Sequence, residues 1–484
     1  MKNIEKIIRV SRGHECADLV LKNVKLVNVF SEEIYETDIA ITGNTIAGIS
    51  KGYCGKEEID LKGAYASPSF IDGHVHLESS MLLPSEFAGL VVPSGTTTVI
   101  SDPHEISNVM GLQGISFMHE AAKNLPLDVY MMLPSCVPAT NLETSGVELN
   151  SYDLALLIDA PWVLGIAEMM NFPGVIDGDI GVLSKIKLGL ERGKRIDGHA
   201  PHLCGKNLDA YVAAGIASDH ECTTPEEAVE KLRLGMHLMV REGTGAKDLE
   251  ALLPVLKKYN TRKCMFVTDD RHPEDLKRHI SGMVAKAVKE GVSPVKAIQM
   301  ASLNTAEYFN LHNLGAIAPG YKADIAIFND LENFEPHMVF KDGKLVAKDG
   351  KILVNTSEFK IPALRGSVNI KWLNVDDFKI KAPVDKKQVK VINVIPKQLI
   401  TKESLETPLV KDGEAIADTK NDILKIAIIE RHKASGNIGL GFVKGFGLKT
   451  GAIASTVAHD SHNMIVIGTN DEDMYYAAVE LVKS

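Results

Sequence analysis

Cysteine is scarce in this chain, six in 484 residues, and no two stand in a CxxC pair. That scatter suggests neither a disulfide framework nor a zinc ribbon. The cysteines read as core fillers, with a metal role for Cys204 or Cys222 as the weaker alternative, and a reducing, cytoplasmic setting is the simplest match. No uninterrupted apolar run reaches the length of a membrane span. The opening Met1-Lys2-Asn3-Ile4-Glu5-Lys6 lacks the apolar core of a signal peptide. A basic excess is also missing: 53 Lys and Arg face 63 Asp and Glu, a formal net charge of -10. This argues against a nucleic-acid partner held by a basic surface, though not against an uncharged nucleobase. The glycine-rich stretch from Gly436 to Gly451 is followed by no GKS or GKT, so it does not read as a phosphate-binding loop. No internal repeat or low-complexity tract is evident.

What is present is enough chain for two or three domains, with hydrophobic residues at 45% and charged residues at 24%, ordinary for a globular protein. From Ser67 to about Asn310, short apolar runs alternate with amphipathic stretches. Eight strands are predicted, near Ser69 to His76, Thr96 to Asp102, Leu127 to Leu133, Trp162 to Glu168, Arg195 to His199, Ile216 to His220, His237 to Arg241 and Cys264 to Asp269. Between them lie helical patterns, such as the capping-box-like Thr223-Thr224-Pro225-Glu226-Glu227 and the apolar spacing of Pro273 to Glu290. Eight strand–helix units make an α/β architecture, a (β/α)8 TIM barrel over 67–312. The flanks, 1–66 and 313–365, alternate with period two and carry the hairpin signals Asp342-Gly343 and Asp349-Gly350. They are expected to join into one small split β domain. Residues 366–484 form a C-terminal α/β domain whose topology the pattern does not reveal.

The ends of the barrel strands carry the chemistry. His74 and His76, two apart on one strand, face the same way. Alone, such a pair could equally be hydrogen-bonded core histidines. The metal reading gains force because Glu168, His199, His220 and Asp269 recur at later strand ends. Imidazole and carboxylate suit zinc, manganese or iron, and Glu168 could bridge two cations. A bound metal lowers the pKa of water from about 15.7 toward about 7, and Asp269 would hold the resulting hydroxide and shuttle its proton. The competing role for Asp269 is a helix cap before Pro273, although Asp270 could cap instead, or bind substrate.

On these residues the sequence resembles the amidohydrolase superfamily, with His74/His76 as its first-strand HxH, Glu168 as the bridging carboxylate on the fourth strand, His199 and His220 on the fifth and sixth, and Asp269 on the eighth. The match narrows over Phe70-Ile71-Asp72-Gly73-His74-Val75-His76-Leu77-Glu78-Ser79-Ser80-Met81, Asp102-Pro103-His104-Glu105, Gly198-His199-Ala200-Pro201, Ser218-Asp219-His220-Glu221, Arg241-Glu242-Gly243 and Thr268-Asp269-Asp270-Arg271-His272-Pro273. With Ala458-His459-Asp460-Ser461-His462-Asn463 near the C-terminus, these resemble the bacterial adenine deaminases. The resemblance implies hydrolysis of adenine to hypoxanthine and ammonia by a metal-bound hydroxide at a binuclear site, with manganese, iron or zinc. The HxE and PCxxC signature of the zinc nucleobase deaminases is absent.

The ring-protonating acid stays open among Glu221, Glu242, Glu78 and Glu105, with Glu221 slightly favoured. Asp270, Arg241, Glu78 and His104 are candidates for binding substrate; Arg241 could instead pair with a carboxylate. His459 and His462 read either as a loop closing over the site or as a polar turn. The expected partners are adenine and water, with no nucleic acid and no membrane, in a homo-oligomer. The alternatives are a cyclic-amide hydrolase of the hydantoinase or dihydroorotase type, which Glu168 in place of a modified lysine disfavours, and a non-catalytic metal-binding scaffold.

Overall fold

The structure, a computed structural model, describes residues 4–356, 359, 366–382, 388–396 and 398–484. Residues 1–3 and most of the stretch around the expected boundary at 365 therefore lie outside the described residues. The chain separates into two compact units. One comprises Met1–Pro103, Ser116–Ser135 and Asn150–Phe359; the other comprises His104–Ile115, Cys136–Leu149 and Lys360–Ser484.

In the first unit the N-terminal flank supplies β1 (Ala17–Asn28), β2 (Glu33–Thr42), β3 (Thr45–Gly48), β4 (Gly55–Asp60) and β5 (Tyr65–Pro68). The barrel strands follow: β6 (Phe70–Val75), β7 (Thr96–Ser101), β8 (Asp128–Leu133), β9 (Val163–Met169), β10 (Arg195–Gly198), β11 (Ser218–Asp219), β12 (His237–Arg241) and β13 (Cys264–Val267). Beyond them come β14 (Ile325–Phe328), β15 (Pro336–Lys341), β16 (Lys344–Lys348) and β17 (Lys351–Ile352). β14 pairs antiparallel with β5, Ile325 opposite Pro68 and Phe328 opposite Tyr65, so the two flanks share one sheet. Its order is β17-β16-β15-β14-β5-β1-β2-β3, with β4 on β1. Asp342 and Gly343 (φ 50° and 75°), like Asp349 and Gly350 (φ 48° and 73°), have the paired positive φ of the tight hairpin turn that Asp-Gly favours.

The barrel strands form parallel runs β10-β9-β8-β7-β6 and β11-β12-β13. The seams are held by the Ala217 amide on the Ile196 carbonyl at 3.0 Å and by a parallel bridge between Val75 and Asp269. Ile71, Ile100, Met132, Ala167, Met239, Met265 and Val267, drawn from six of the strands, form one buried cluster, so the interior is packed and chemistry is confined to the strand ends. The fold class is thus the predicted one.

Three local departures have physical causes. β11 pairs over two residues only, because the Asp219 carboxylate takes the Ala200 amide at 2.8 Å and the Glu221 amide at 3.0 Å and turns the chain out of the sheet. The helical stretch from Pro273 breaks into Pro273–Leu276 and His279–Lys289. There the fully buried His279 turns inward, with Nε2 3.1 Å from Asp72 Oδ2 and Nδ1 3.0 Å from Thr96 Oγ1. In the helix Pro225–Arg233, Thr224 caps the Glu227 amide at 3.3 Å, but Glu227 returns to the Thr223 amide and not to the cap residue.

One expectation is overturned. Cys16 and Cys54 form a disulfide, so two of the six cysteines are not core fillers. The cause is register: β1 and β4 run parallel with Ala17 opposite Gly55, which sets the preceding residues side by side, their Cα atoms 4.8 Å apart. No CxxC spacing is needed when a sheet brings together residues 38 apart. Of the rest, Cys136, Cys222 and Cys264 are buried and Cys204 is exposed. No helix among the described residues is long and apolar enough to cross a membrane.

The second unit holds β18 (Val389–Val394), β19 (Thr401–Glu406), β20 (Leu409–Lys411), β21 (Glu414–Ile416), β22 (Ile423–Ile429), β23 (Ile438–Lys444), β24 (Ala452–Ser455) and β25 (Met464–Gly468). Six of them make a mixed sheet in the order β19-β18-β23-β22-β25-β24. The closing helix Asp471–Lys483 buries Met474 and Ala478 in the same core as Ala427, Ile429 and Val466. The glycine-rich stretch becomes β23 and the loop after it.

The disulfide gives a direct check. Titration of thiols in denatured, unreduced protein should find four, and six after reduction; six before reduction would remove the bond from the account. Replacing both cysteines by serine should cost about 3–4 kcal/mol for a loop of this length.

Candidate metal centre

Period two places Asp72, His74 and His76 on one face at the end of β6, and all three are buried. His76 Nδ1 lies 2.9 Å from the Asp102 carbonyl oxygen. A carbonyl can only accept, so Nδ1 donates there, which turns Nε2 toward the carboxylates of the site. That Nε2 sits 3.2 Å from Glu168 Oε1 and 3.1 Å from Asp269 Oδ1. His74 Nε2 is 3.8 Å from the same Glu168 oxygen and 3.7 Å from the same Asp269 oxygen. Burial, then the neighbouring His220 and His76, hold His74 well below the usual imidazole range, which leaves it neutral and able to ligate. Its ring stacks on that of His220, centroids 4.3 Å apart.

Glu168, at the end of β9, meets the later imidazoles with its other oxygen: His199 Nδ1 at 2.6 Å and His220 Nε2 at 3.3 Å. His199 is delivered by Gly198, whose place no larger residue could take, since a Cβ there would lie 2.3 Å from the Ser218 carbonyl oxygen. The His199 amide donates to the Tyr211 hydroxyl at 3.0 Å, and that hydroxyl donates to the Met169 carbonyl at 2.8 Å. Burial opposes charge on His199, yet Glu221 and Glu168 outweigh it and push the ring up to about 9. The cluster attracts positive charge.

Asp269 follows β13 with φ of 58°, a left-handed conformation that aspartate tolerates. Its amide donates to the His74 carbonyl at 2.9 Å and its carbonyl accepts the His76 amide at 3.2 Å, so the backbone that closes the barrel also registers Asp269 against the HxH pair. Beneath it, Asp72 Oδ1 accepts the amides of His74 and Thr268, each at 3.2 Å.

Arg241 is buried among three carboxylates. Nε bonds Asp248 Oδ2 at 3.0 Å, Nη1 bonds Asp269 Oδ2 at 3.0 Å and also Glu221, and Nη2 bonds Glu221 Oε2 at 3.2 Å. The geometry therefore matches the carboxylate-pairing alternative. Glu221 reaches inward to 3.7 Å from His199 Nδ1 and 3.5 Å from His220 Nε2. Asp270 accepts from Ser79 Oγ, and Glu78 occupies the turn that follows His76. Glu242 points elsewhere, bonding Lys286 at 2.8 Å. His104 belongs to the second unit, with Nε2 3.5 Å from Asp460 Oδ1; Glu105 is there too, paired with His459.

The donors fit divalent cations. His74, His76 and Asp269 form one group of ligand atoms, His74, Glu168 and His220 a second, and His199, His220 and Glu221 a third, each within 4.8 Å. His74 Nε2, which faces Glu168 and Asp269, is buried with no hydrogen-bond partner, a cost that a cation bound to that nitrogen relieves.

Sequence reasoning missed the residues that hold these ligands. Asp72 was available from the same period-two pattern as His74 and His76. Asp219 ties the loops after β10 and β11 together, with Lys231 Nζ on its Oδ2 at 2.9 Å. Burial works to raise Asp219, but Lys231 and His220 overcome it and bring it down to about 2. Nothing in the local spacing marks Lys231 or Asp248 as partners.

A packed parallel barrel with imidazoles and carboxylates converging at the C-terminal strand ends defines a metal-dependent hydrolase. The Amidohydrolase family model matches residues 65–346, and the Adenine deaminase C-terminal domain model matches 398–484. The chain is 50% identical to Adenine deaminase 2 of Carboxydothermus hydrogenoformans over 484 residues, covering 99% of this chain and 84% of the relative. It is 50% identical to the adenine deaminase of Desulfatibacillum aliphaticivorans over 482 residues, with the same coverage. Among solved structures, a D-hydantoinase superposes with TM-score 0.54 at 14% identity, over 71% of this chain and 98% of that one. A dihydropyrimidinase from Brevibacillus agri gives 0.53 at 14% identity, over 71% and 99%; both likenesses concern the fold. The chain belongs to the amidohydrolase family and, within it, to the adenine deaminases.

Removing one member of a buried ion pair leaves an uncompensated charge, which costs about 3–5 kcal/mol. Lys231→Met should lower the thermal midpoint of the barrel clearly, because Asp219 then stays buried and unpaired. An unchanged midpoint would show that Lys231 does not hold this loop.

Proposed function

We propose that the cluster around Glu168 is the active site of a hydrolase that converts adenine and water into hypoxanthine and ammonia. The oxygen of water replaces the exocyclic nitrogen at C6, and that nitrogen leaves as ammonia. The observation that carries the reading is one buried carboxylate, Glu168, set among four imidazoles from three separate strand ends.

In this reading His74, His76, Asp269, His199, His220 and Glu168 would together hold two divalent cations. Divalent cations, when bound, lower the pKa of water so that it attacks at neutral pH. The resemblance to the adenine deaminases favours manganese; nitrogen and oxygen donors also accept iron or zinc.

Asp269 takes a proton from the attacking water. Arg241 and the two backbone bonds to the HxH pair hold its carboxylate in place for that transfer. Glu221, held by the Arg241 fork, takes one proton of the attacking water and passes it to a ring nitrogen, and Asp269 hands the other to the departing amine, which leaves as ammonia. Asp270 and Glu78 are the groups we assign to holding the base. Arg241 acts through Glu221 and Asp269.

We also propose the three-part division expected from the sequence, a β domain split over 1–66 and 313–365, the barrel over 67–312 and the C-terminal domain over 366–484, and a role in purine salvage. A nucleobase substrate favours the cytoplasm; the Cys16–Cys54 bond runs against a fully reducing compartment. The net charge of -10 speaks against nucleic acid. Leu405, Leu409 and Val410, 56%, 49% and 50% exposed in the second unit, support a homo-oligomer.

The test is ammonia release from manganese-loaded protein. Adenine should turn over, and adenosine should do so slower by roughly 10⁴-fold, since a site that hydrogen-bonds one ring edge rejects analogues by about that factor. Asp269→Asn should reduce turnover of adenine by about 10²–10⁴-fold. Equal rates for both substrates would contradict the substrate, and an undiminished variant would contradict the role of Asp269.

A further inference from the structure

We propose that the second unit carries its own divalent-cation site, built from Glu105, His459 and His462, separate in composition from the barrel ligands. Glu105 lies in the short helix His104–Met110 and is buried. His459 Nδ1 is 2.7 Å from its Oε1, and His462 Nε2 is 3.4 Å from its Oε2. The three ligand atoms lie within 4.8 Å of one another. Two imidazoles and a carboxylate are a common three-residue donor set for zinc, and water completes the coordination.

An independent observation points to a ligand. His462 is 6% exposed, and its Nε2 is buried, aimed at Glu105 and without a hydrogen-bond partner. A buried ring nitrogen with no partner costs stability unless something satisfies it. The other ring nitrogen faces the Ala458 amide at 3.3 Å. Binding a cation at Nε2 moves the ring proton to Nδ1 and gives up that long contact for a metal bond.

The segment is pinned in position. The His462 amide donates to the Ala458 carbonyl at 2.9 Å, and Asn463 Nδ2 donates to the Thr144 carbonyl at 2.9 Å. Ser461 Oγ bonds Glu143, and the Ser461 carbonyl lies 2.7 Å from His432 Nε2. Arg431 Nε donates to the His462 carbonyl. Rigid support of this kind keeps the first ligands in register. His459 is 37% exposed at its side chain and lines a cavity of about 590 Å³ together with Glu143, Glu430, Ser461 and Asn463, which gives a cation and its waters a way in.

The site goes beyond the proposed barrel chemistry, and counting ions separates the two. Full-length protein is stripped of metal, dialysed against Zn²⁺ and assayed for zinc per chain. The unaltered chain should hold three ions. His459→Ala with His462→Ala should hold two, and so should Glu105→Gln, which conserves volume and guards against a folding defect. His74→Ala with His76→Ala should lose barrel zinc and keep the ion of the second unit. The proposal is overturned if the unaltered chain holds only two and both are lost with the barrel histidines, or if the Glu105 and His459/His462 variants bind as many as the parent. A parent that holds one ion, lost only in those latter variants, would sustain this site and count against the barrel centre.

Discussion

Glu168 sits out of water with imidazole nitrogens of His199, His76, His220 and His74 at 2.6, 3.2, 3.3 and 3.8 Å from its oxygens. An ionised carboxylate pays a large desolvation penalty in such a place, and neutral imidazoles do not repay it unless positive charge is shared among them. Protons can supply that charge, which is why His199 is drawn up to about 9. Cations supply it through the same nitrogen lone pairs that protons would otherwise occupy. The polar end of the barrel is organised around that requirement.

The scaffold meets it by tying each ligand to a neighbour. Asp72 takes the amides of His74 and Thr268 and faces the His279 ring. Asp219 joins two loops under the charge of Lys231. Arg241 locks Glu221 and Asp269 together and is itself anchored by Asp248. Preorganisation of this kind keeps reacting groups within a fraction of an ångström of their working positions. The chemistry depends on this ring of supporting carboxylates and cations as much as on the ligands.

The barrel was legible in the sequence because each strand is a short apolar run ended by a polar residue. Its period of two marks which side chains share a face, and the predicted ends differ from the observed ones by a residue or two. The candidate metal ligands, a clustering of histidine and carboxylate side chains, were legible for the same reason. What stayed hidden were long-range pairings with no local signature. Lys231 reads as one charge on an amphipathic helix until its partner Asp219 is seen. Cys16 and Cys54 look isolated until β1 and β4 align. The second unit's sheet resisted derivation because β18 and β23, fifty residues apart, run parallel, and a parallel partner lies a crossover away and not across a tight turn. The Glu105–His459 pairing escaped for that reason too.

Manganese soaked into crystals of the protein and located by anomalous scattering tests the central claim most directly. Two peaks should appear at the barrel mouth, one beside His74, His76 and Asp269 and one beside His199 and His220, with Glu168 within roughly 2.0–2.3 Å of both, ordinary metal–oxygen bonding distance. A barrel mouth with no peak at saturating manganese, its imidazoles and carboxylates bonded only to each other, would contradict the account.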